Sequence, residues 1–283
     1  MLVLSDVHLG TYGCHAKELL HYLKSIKPKT VILNGDIIDI WQFSKHYWPK
    51  SHMKVVKHLM NWVSKGVKVY YITGNHDEML RKFAGFKMSS FQIVNKVILD
   101  VGNNKKAWFF HGDVFDVTMQ HSKWLAKLGA AGYDTLIIIN RMANFISERI
   151  FRKGKLSLSK KIKNSVKSAV KFINNFEQTA ADIAISNHYD YVVCGHIHQP
   201  EMREISNQSG KVMYLNSGDW IENLTALEYV NDKWEVYKFD ETEYINMKMT
   251  FLAEEDVLDN SKLFDNMIEE FNLLRDLNNK ILS

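Results

Sequence analysis

Five short apolar segments of this sequence each end in residue types that bind metal ions. The clearest runs from Val31 to Asp39, where Val-Ile-Leu is followed by Asn-Gly and then by Asp36 and Asp39. A short apolar run with an abrupt polar end is typical of a buried parallel strand. Because α/β proteins place ligands at the carboxyl ends of such strands, the five segments predict one shared site. The residues they offer are Asp6, His8, Asp36, Asn75, His111, His196 and His198.

Each segment also has an ordinary interpretation when it is taken alone. Asp and Gly are frequent in turns, so Asp36 and Asp39 by themselves indicate a turn more often than a site. The recurrence at five strand ends is what favours a metal site. Imidazole, carboxylate and amide ligands without thiolate suit Mn²⁺, Fe²⁺ or Zn²⁺. Seven ligands are too many for one ion with an open position, and they predict two ions that share a carboxylate.

The order of the elements predicts an α/β domain in which strand, ligand and helix alternate. Apolar residues at helical spacing predict helices at 15–26 and 53–64. Three later segments, at 212–216, 224–230 and 234–239, are expected to form strands of a second sheet. The strands expected before them lie at 2–5, 31–33, 67–73, 91–101, 107–110 and 189–194.

The composition excludes several classes of protein. A chain of 283 residues with 46% hydrophobic and 24% charged residues suits a globular protein with one large domain, or with one domain plus appendages. Two cysteines, Cys14 and Cys194, are too few for a disulfide framework or a thiolate zinc site. No apolar run approaches the length of a membrane span, and no secretory signal is recognisable. We therefore expect a cytoplasmic protein.

The net charge of +4 conceals a strong asymmetry along the chain. Residues 121–175 hold 12 Lys and Arg against 2 Asp and Glu, whereas residues 240–283 hold 11 acidic against 4 basic residues. These blocks predict separate elements. We expect a core at 1–117 and 188–240, a basic helical insertion at 118–187, and an acidic tail at 241–283. The tail has an amphipathic helical pattern and is expected to pack on the domain or on a second copy, as in a homodimer.

The polar ends of the five segments form an ordered set of motifs. They read Asp6-x-His8, Gly35-Asp36-x-x-Asp39, Gly74-Asn75-His76-Asp77, His111-Gly112-Asp113 and Gly195-His196-x-His198. This set resembles that of the calcineurin-like metallophosphoesterases. The resemblance implies a four-layer α/β/β/α sandwich with two divalent ions, of which Mn²⁺ is expected and Fe²⁺ or Zn²⁺ are alternatives. It also implies Asp6, His8, Asp36 and His198 at one ion, and Asp36, Asn75, His111 and His196 at the other, with Asp36 bridging.

Residues beside the ligands have expected roles in such a site. His76 is the candidate general acid that protonates the leaving oxygen, and Asp77 is expected to orient or charge its imidazole. Asp39 and Asp113 are interpreted as carboxylates that orient ligand histidines.

Within the superfamily, the sequence is most similar to the UDP-2,3-diacylglucosamine hydrolases of lipid A synthesis. The shared features are the basic insertion, the stretch Asn164-Ser-Val-Lys167-Ser, Gln199-Pro200, and the segment 215–220. The resemblance implies hydrolysis of UDP-2,3-diacylglucosamine to UMP and 2,3-diacylglucosamine 1-phosphate. However, His76 stands where those hydrolases commonly have Arg, and their acidic cluster is not evident near residues 117–120. A phosphodiesterase, nuclease or phosphatase therefore stays open, whereas a non-catalytic scaffold is disfavoured because all seven ligand positions are filled.

The insertion mixes many aliphatic residues with many lysines and arginines. It is either a small helical subdomain with a solvated basic face or a lid that holds acyl chains while its cations meet phosphates and anionic lipid. Nucleic-acid binding is a third interpretation, which the aliphatic content disfavours. On the lid hypothesis, the protein makes peripheral contact with the cytoplasmic face of the inner membrane. The substrate-binding residues are then Lys160, Lys163, Asn164 and Lys167.

Overall fold

The computed structural model describes residues 1–40, 48–115, 173 and 175–240. Within these residues the chain forms two sheets and three helices. The helices are α1 (Ala16–Ser25), α2 (Lys50–Ser64) and α3, described at 175–186. The strands in chain order are β1 (Leu2–Leu4), β2 (Thr30–Asn34), β3 (Lys68–Ile72), β4 (Lys87–Met88), β5 (Phe91–Val94), β6 (Lys96–Asp100), β7 (Lys106–Phe110), β8 (Tyr191–Cys194), β9 (Glu201–Asn207), β10 (Gly210–Asn216), β11 (Thr225–Val230) and β12 (Lys233–Lys238).

The larger sheet has seven strands in the order β12-β11-β1-β2-β3-β5-β4, and the smaller has five in the order β6-β7-β8-β10-β9. In the larger sheet, β1, β2, β3 and β5 run parallel. In the smaller sheet, β7, β8 and β10 do so. Parallel neighbours end at the same edge, so both sheets direct the ends of their central strands to one side of the molecule.

Three apolar layers show how the elements stack. Between the sheets, Val3 and Ile32 from the larger sheet belong to one buried cluster with Phe109 and Val193 from the smaller. The outer face of the larger sheet packs on α1 and α2. The outer face of the smaller sheet packs on α3, whose Phe176 lies in a cluster with β-strand residues of that sheet. The four-layer α/β/β/α sandwich predicted from the sequence is therefore confirmed.

Two predictions about strands were wrong, and two strands, β4 and β9, were not predicted. The single strand expected at 91–101 is two strands, β5 and β6, which meet at Asn95 and belong to different sheets. Strands β11 and β12 were expected in the second sheet, but β11 pairs with β1 and extends the larger sheet. Strand β9 was not predicted, because most of its residues are exposed and its apolar pattern is weak.

The proposed division of the chain is only partly within the described residues. Helix α3 falls in the segment expected to be an insertion, yet its buried Ala180, Ala181 and Ala184 pack on the smaller sheet as an outer layer of the core. The remainder of that division stays a prediction. Within the described residues, no helix is both long enough and apolar enough to span a bilayer.

Candidate metal centre

The predicted ligands gather where the parallel strands of both sheets end. Asp6 and Asp36 follow β1 and β2, and Asn75 follows β3 of the same sheet. His111 and His196 follow β7 and β8 of the smaller sheet. Asp6, Asp36 and His111 are buried. The site thus lies across both sheets at their common carboxyl edge.

The backbone at most of these positions adopts the left-handed conformation, which residues other than glycine rarely adopt. The φ angles are 52° at Asp6, 52° at His8, 54° at Asp36, 69° at His196 and 53° at His198. Each such residue costs roughly 1–3 kcal/mol and persists only where its surroundings enforce it, most often at functional sites. Sequence motifs do not reveal this strain, which occurs at five of the seven predicted ligands.

The first ligand group consists of Asp6, His8 and His198, whose potential ligand atoms all lie within 4.8 Å of one another. His198 Nε2 is 3.2 Å from Asp6 Oδ1. Burial opposes protonation of His198, but its hydrogen bond to Asp6 and nearby carboxylates outweigh burial and raise the pKa of His198. His8 Nε2 is buried and has no hydrogen-bond partner within the described residues. A buried nitrogen without a partner is costly, and a cation would satisfy it.

The second ligand group consists of Asp36, His111 and His196, again within 4.8 Å of one another. His111 Nδ1 lies 2.9 Å from the carbonyl oxygen of Asn34, which can only accept a hydrogen bond, so Nδ1 carries the proton. Its Nε2 then faces Asp36 Oδ2 at 3.2 Å and Asn75 Oδ1 at 3.3 Å. Three electron-rich atoms thus converge, and either a proton or a cation must lie between them.

The pKa values follow from this convergence. Burial opposes a charged His111, but the facing Asp36 carboxylate outweighs it and raises the pKa of His111 well above its ordinary value. The same pair holds the pKa of Asp36 below its ordinary range, although burial acts in the opposite direction. The residues present therefore fit divalent cations. Whether Asp36 bridges two of them stays a prediction.

Glycines allow the second ligand group to pack this closely. A Cβ on Gly74 would lie 2.1 Å from Asp36 Oδ1 and 2.7 Å from His111 Cδ2. A Cβ on Gly35, where φ is +85°, would lie 2.3 Å from His111 Cγ. No side chain fits at either position, which explains the glycines directly before Asp36 and Asn75.

His76 lies beside the first ligand group, and Asp39 is the carboxylate that orients it. His76 Nδ1 is 2.9 Å from Asp39 Oδ2, and the backbone N–H of His76 donates to Asp36 Oδ1 at 2.8 Å. The same Asp39 oxygen is 3.5 Å from His8 Nδ1. The His76 side chain is 34% exposed, so its ring is accessible to a substrate.

The orienting role predicted for Asp77 was wrong. This carboxylate is buried and accepts hydrogen bonds from the backbone N–H groups of Ile37 (3.0 Å) and Gly74 (2.6 Å) and from the hydroxyl of Tyr71 (2.6 Å). Burial, with the charge of Asp36, raises the pKa of Asp77 to about 6. Asp77 thus connects the loops that carry Asp36 and Asn75, whereas Asp39 contacts the imidazole of His76.

Two further carboxylates surround the ligands. Asp113, which was expected to orient a ligand histidine, is buried and forms an ion pair with Arg81. Asp219, to which the sequence assigned no role, lies with Oδ2 3.9 Å from His198 Nδ1. Its Oδ1 accepts the backbone N–H groups of Ile221, Glu222 and Asn223. An Asp at the start of a tight turn was the available signal, but nothing in the sequence places that turn beside His198.

The candidate substrate-binding residues of the insertion lie outside the described residues. They are Lys160, Lys163, Asn164 and Lys167.

The chain is similar to several known proteins. The sequence profile of the calcineurin-like phosphoesterases matches residues 1–200. The chain is similar to UDP-2,3-diacylglucosamine hydrolases from Blochmanniella pennsylvanica (24% identical, covering 82% of this chain and 92% of that protein) and Aliivibrio fischeri (21% identical, covering 84% and 98%). Among solved structures, a dimetal phosphatase from Danio rerio matches with a TM-score of 0.38 at 11% identity, covering 84% of this chain and 94% of that one. Because the profile spans most of the chain and every predicted ligand, the chain belongs to the calcineurin-like phosphoesterase family.

Proposed function

We propose that this protein hydrolyses the phosphoanhydride bond of UDP-2,3-diacylglucosamine, giving UMP and 2,3-diacylglucosamine 1-phosphate. The observation that carries the substrate is the similarity to curated hydrolases of that name over nearly their whole length. The reaction class follows from the family, whose members are metal-dependent phosphoesterases. The clustered ligands supply what that class requires.

Two divalent cations, Mn²⁺ by expectation, would be held by the two ligand groups. The first set is Asp6, His8 and His198 with Asp36, and the second is Asp36, Asn75, His111 and His196. Bound there, the ions supply Lewis acidity toward the phosphoryl oxygens and lower the pKa of a water for attack on phosphorus. The hydrogen bond between His111 Nδ1 and the Asn34 carbonyl fixes the tautomer of His111, and Asp39 and Asp219 place negative charge near Nδ1 of His8 and of His198.

His76 is the residue proposed to handle the proton of the leaving group. With Nδ1 held by Asp39, Nε2 is the ring atom that remains to meet a phosphate oxygen. An imidazolium paired with a buried carboxylate can donate that proton as the bond to phosphorus breaks. Asp39 positions the ring.

The contact between His76 and Asp39 favours a second candidate, a phosphatase or phosphodiesterase for another substrate. A general acid contributes most when the leaving oxygen is a poor leaving group, as in an alkyl phosphate, and less for a phosphoanhydride. His76 with its Asp39 partner suits the former chemistry. The substrate similarity and the general-acid geometry therefore point to two different leaving groups.

Contact with anionic lipid, and a lid formed by Lys160, Lys163, Asn164 and Lys167, belong to the first candidate. Support for both comes from the sequence, in which cations alternate with aliphatic residues. Dimerisation through the acidic tail is likewise proposed from its amphipathic pattern.

The test supplies purified protein with Mn²⁺ and offers three substrates in parallel. These are UDP-2,3-diacylglucosamine, an alkyl phosphomonoester and a nucleotide phosphodiester, with Asp36→Asn as the matched inactive control. Release of UMP from the first substrate with the highest kcat/KM supports the lipid-linked diphosphate. Turnover of either other substrate, with none of UDP-2,3-diacylglucosamine, contradicts it and favours the second candidate.

A further inference from the structure

Arg81 is a buried cation beside the metal centre that the proposed chemistry does not use. It is 7% exposed and lies on a short 3₁₀ helix, Glu78–Phe83. It forms an ion pair with Asp113, which begins a second 3₁₀ helix, Asp113–Phe115. Each helix starts two or three residues after a predicted ligand, Asn75 in one case and His111 in the other.

The ion pair joins strands of different sheets. The residues around Arg81 follow β3 of the larger sheet, and Asp113 follows β7 of the smaller. Arg81 also donates from Nε to Thr73 Oγ1 at 3.4 Å and from Nη2 to the Thr73 carbonyl oxygen at 3.5 Å. Thr73 Oγ1 in turn donates to Asn95 Oδ1 at 3.3 Å, where the chain passes from one sheet to the other. One guanidinium therefore ties together two ligand-bearing strand ends.

Stability alone is a weak explanation for this arrangement. Taking two charges out of water is costly, and apolar replacements for a buried ion pair are often neutral or stabilising. A guanidinium, however, is planar with donors in a fixed fork, so it imposes a defined distance between the groups that it binds. Because Asp113 compensates its charge, the pair adds no net positive charge beside a cation site.

We infer that the Arg81–Asp113 pair is a positioning element that sets the separation of Asn75 and His111, and with it the affinity of the second ligand group for its divalent cation. The two ligand atoms concerned, His111 Nε2 and Asn75 Oδ1, are 3.3 Å apart. The inference rests on the family's metal centre and not on the identity of the substrate.

The experiment measures Mn²⁺ binding to wild-type protein and to Arg81→Met by calorimetry and by analysis of bound metal. Partners that orient ligands typically affect metal affinity by roughly 10–100-fold. We expect a loss of that size for one ion, the same ion that Asn75→Ala loses, while the affinity for the other changes much less. The electron paramagnetic resonance spectrum should change at limiting Mn²⁺ from that of a coupled pair to that of single ions.

Arg203→Met is the matched control. Arg203 forms an ion pair with Glu177, a buried carboxylate on the outer side of the smaller sheet. Loss of the Arg203–Glu177 ion pair should lower the free energy of unfolding and leave the affinity for both ions unchanged. Unchanged binding in Arg81→Met, or equal weakening of both ions in proportion to lost stability, would overturn the inference.

Two further variants keep the test decisive if Arg81→Met does not fold. Arg81→Lys keeps the charge but not the fork, and Asp113→Asn leaves the guanidinium charge uncompensated near a cation. Both should lose the same ion selectively, and Asp113→Asn should lose it more severely. Equal retention of both ions in these variants would also overturn the inference. So would a wild type that binds fewer than two ions, whereas failure to hydrolyse UDP-2,3-diacylglucosamine would contradict only the proposed substrate.

Discussion

The first and second ligand groups lie at the same edge of the molecule but are held by different means. In the second, the tautomer of His111 is set by a backbone carbonyl. In the first, carboxylates lie near the Nδ1 atoms of the histidines: Asp39 near His8, and Asp219 near His198.

This difference separates two kinds of preorganisation. A backbone carbonyl supports a ligand whatever the pH, because it carries no titratable charge. A carboxylate adds charge as well as orientation, so one substitution can weaken its support without moving the backbone. We therefore expect the second group to resist single substitutions around it unless they move a strand end, and the first to respond to its individual carboxylates.

Asp36→Asn should have the largest effect, because Asp36 is predicted to bind the ions of both ligand groups. Asp36 faces His111 in the second group, and its charge also acts on His8 and Asp6 of the first. We expect loss of both ions and a fall in kcat/KM of roughly 10⁴-fold or more, since several kcal/mol of charge stabilisation disappear. Bound-metal analysis provides the measurement. Full retention of one ion would refute the shared carboxylate.

His76→Ala should have the next largest effect, and only on demanding substrates. Loss of a general acid lowers kcat by roughly 10²–10⁴-fold for a poor leaving group. Nitrophenolate needs little protonation, so its ester should be affected much less. His76→Arg is the informative companion variant. If it retains activity and the losses in His76→Ala are similar for all leaving groups, His76 is a cationic phosphate contact and not an acid.

Much of the fold, and the clustering of the candidate ligands, could be predicted from the sequence because each candidate ligand lies at the end of an apolar run. Local pattern then fixes both the strand and its polar end. The sheet to which a strand belongs is not encoded in this way. Residues 91–101 read as one strand because the apolar pattern continues past Asn95, where the chain in fact changes sheet. Packing between the layers makes that choice, and periodicity within one segment cannot report it.

The residues around the ligands were the hardest to predict for the same reason. Asp77 adjoins His76 in sequence, yet its carboxylate turns toward Gly74 and Tyr71. Asp39 reaches His76 because the backbone N–H of Ile40 bonds to the carbonyl oxygen of His76 and Leu9 pairs with Ile38. Arg81 and Asp219 likewise contact residues 32 and 21 positions away in the chain, Asp113 and His198. Sequence proximity predicts ligands at strand ends, but not the partners that hold them.

Protonation of His52, which contacts the loop of the first ligand group, should destabilise the protein at acidic pH. Its Nδ1 accepts the backbone N–H of Gly10, two residues after His8. Burial lowers the pKa of His52 to about 4, whereas in an unfolded chain it is about 6.5. Between these values only the unfolded state binds the proton. The contribution of neutral His52 to the free energy of unfolding is therefore fully present above pH 6.5 and is lost as the pH falls to 4.

His52→Asn keeps an acceptor near the same position and removes the titration. The difference in free energy of unfolding between wild type and variant should therefore change by up to about 3 kcal/mol from pH 7 to pH 4. Denaturant titrations with chelator at each pH measure it, and the other histidines are common to both proteins. A difference that does not vary with pH would show that His52 does not titrate with unfolding.

The smallest effect, and the sharpest comparison, is expected from Asp219→Asn. The Asp219 oxygen that accepts three backbone N–H groups can be replaced by the amide oxygen of Asn, so the turn should survive. What is lost is the negative charge 3.9 Å from His198 Nδ1, together with the hydrogen bond that Oδ2 accepts from Asn223 Nδ2 at 2.6 Å. We expect roughly 10–100-fold weaker binding of the ion at the first group, a smaller change at the second, and a loss of stability of roughly 1 kcal/mol from the hydrogen bond to Asn223. Arg81→Met should give the opposite pattern, so Mn²⁺ titrations of the two variants test each other. If both weaken the same ion, or weaken both ions equally, the two groups are not supported separately, and their different surroundings do not translate into different affinities.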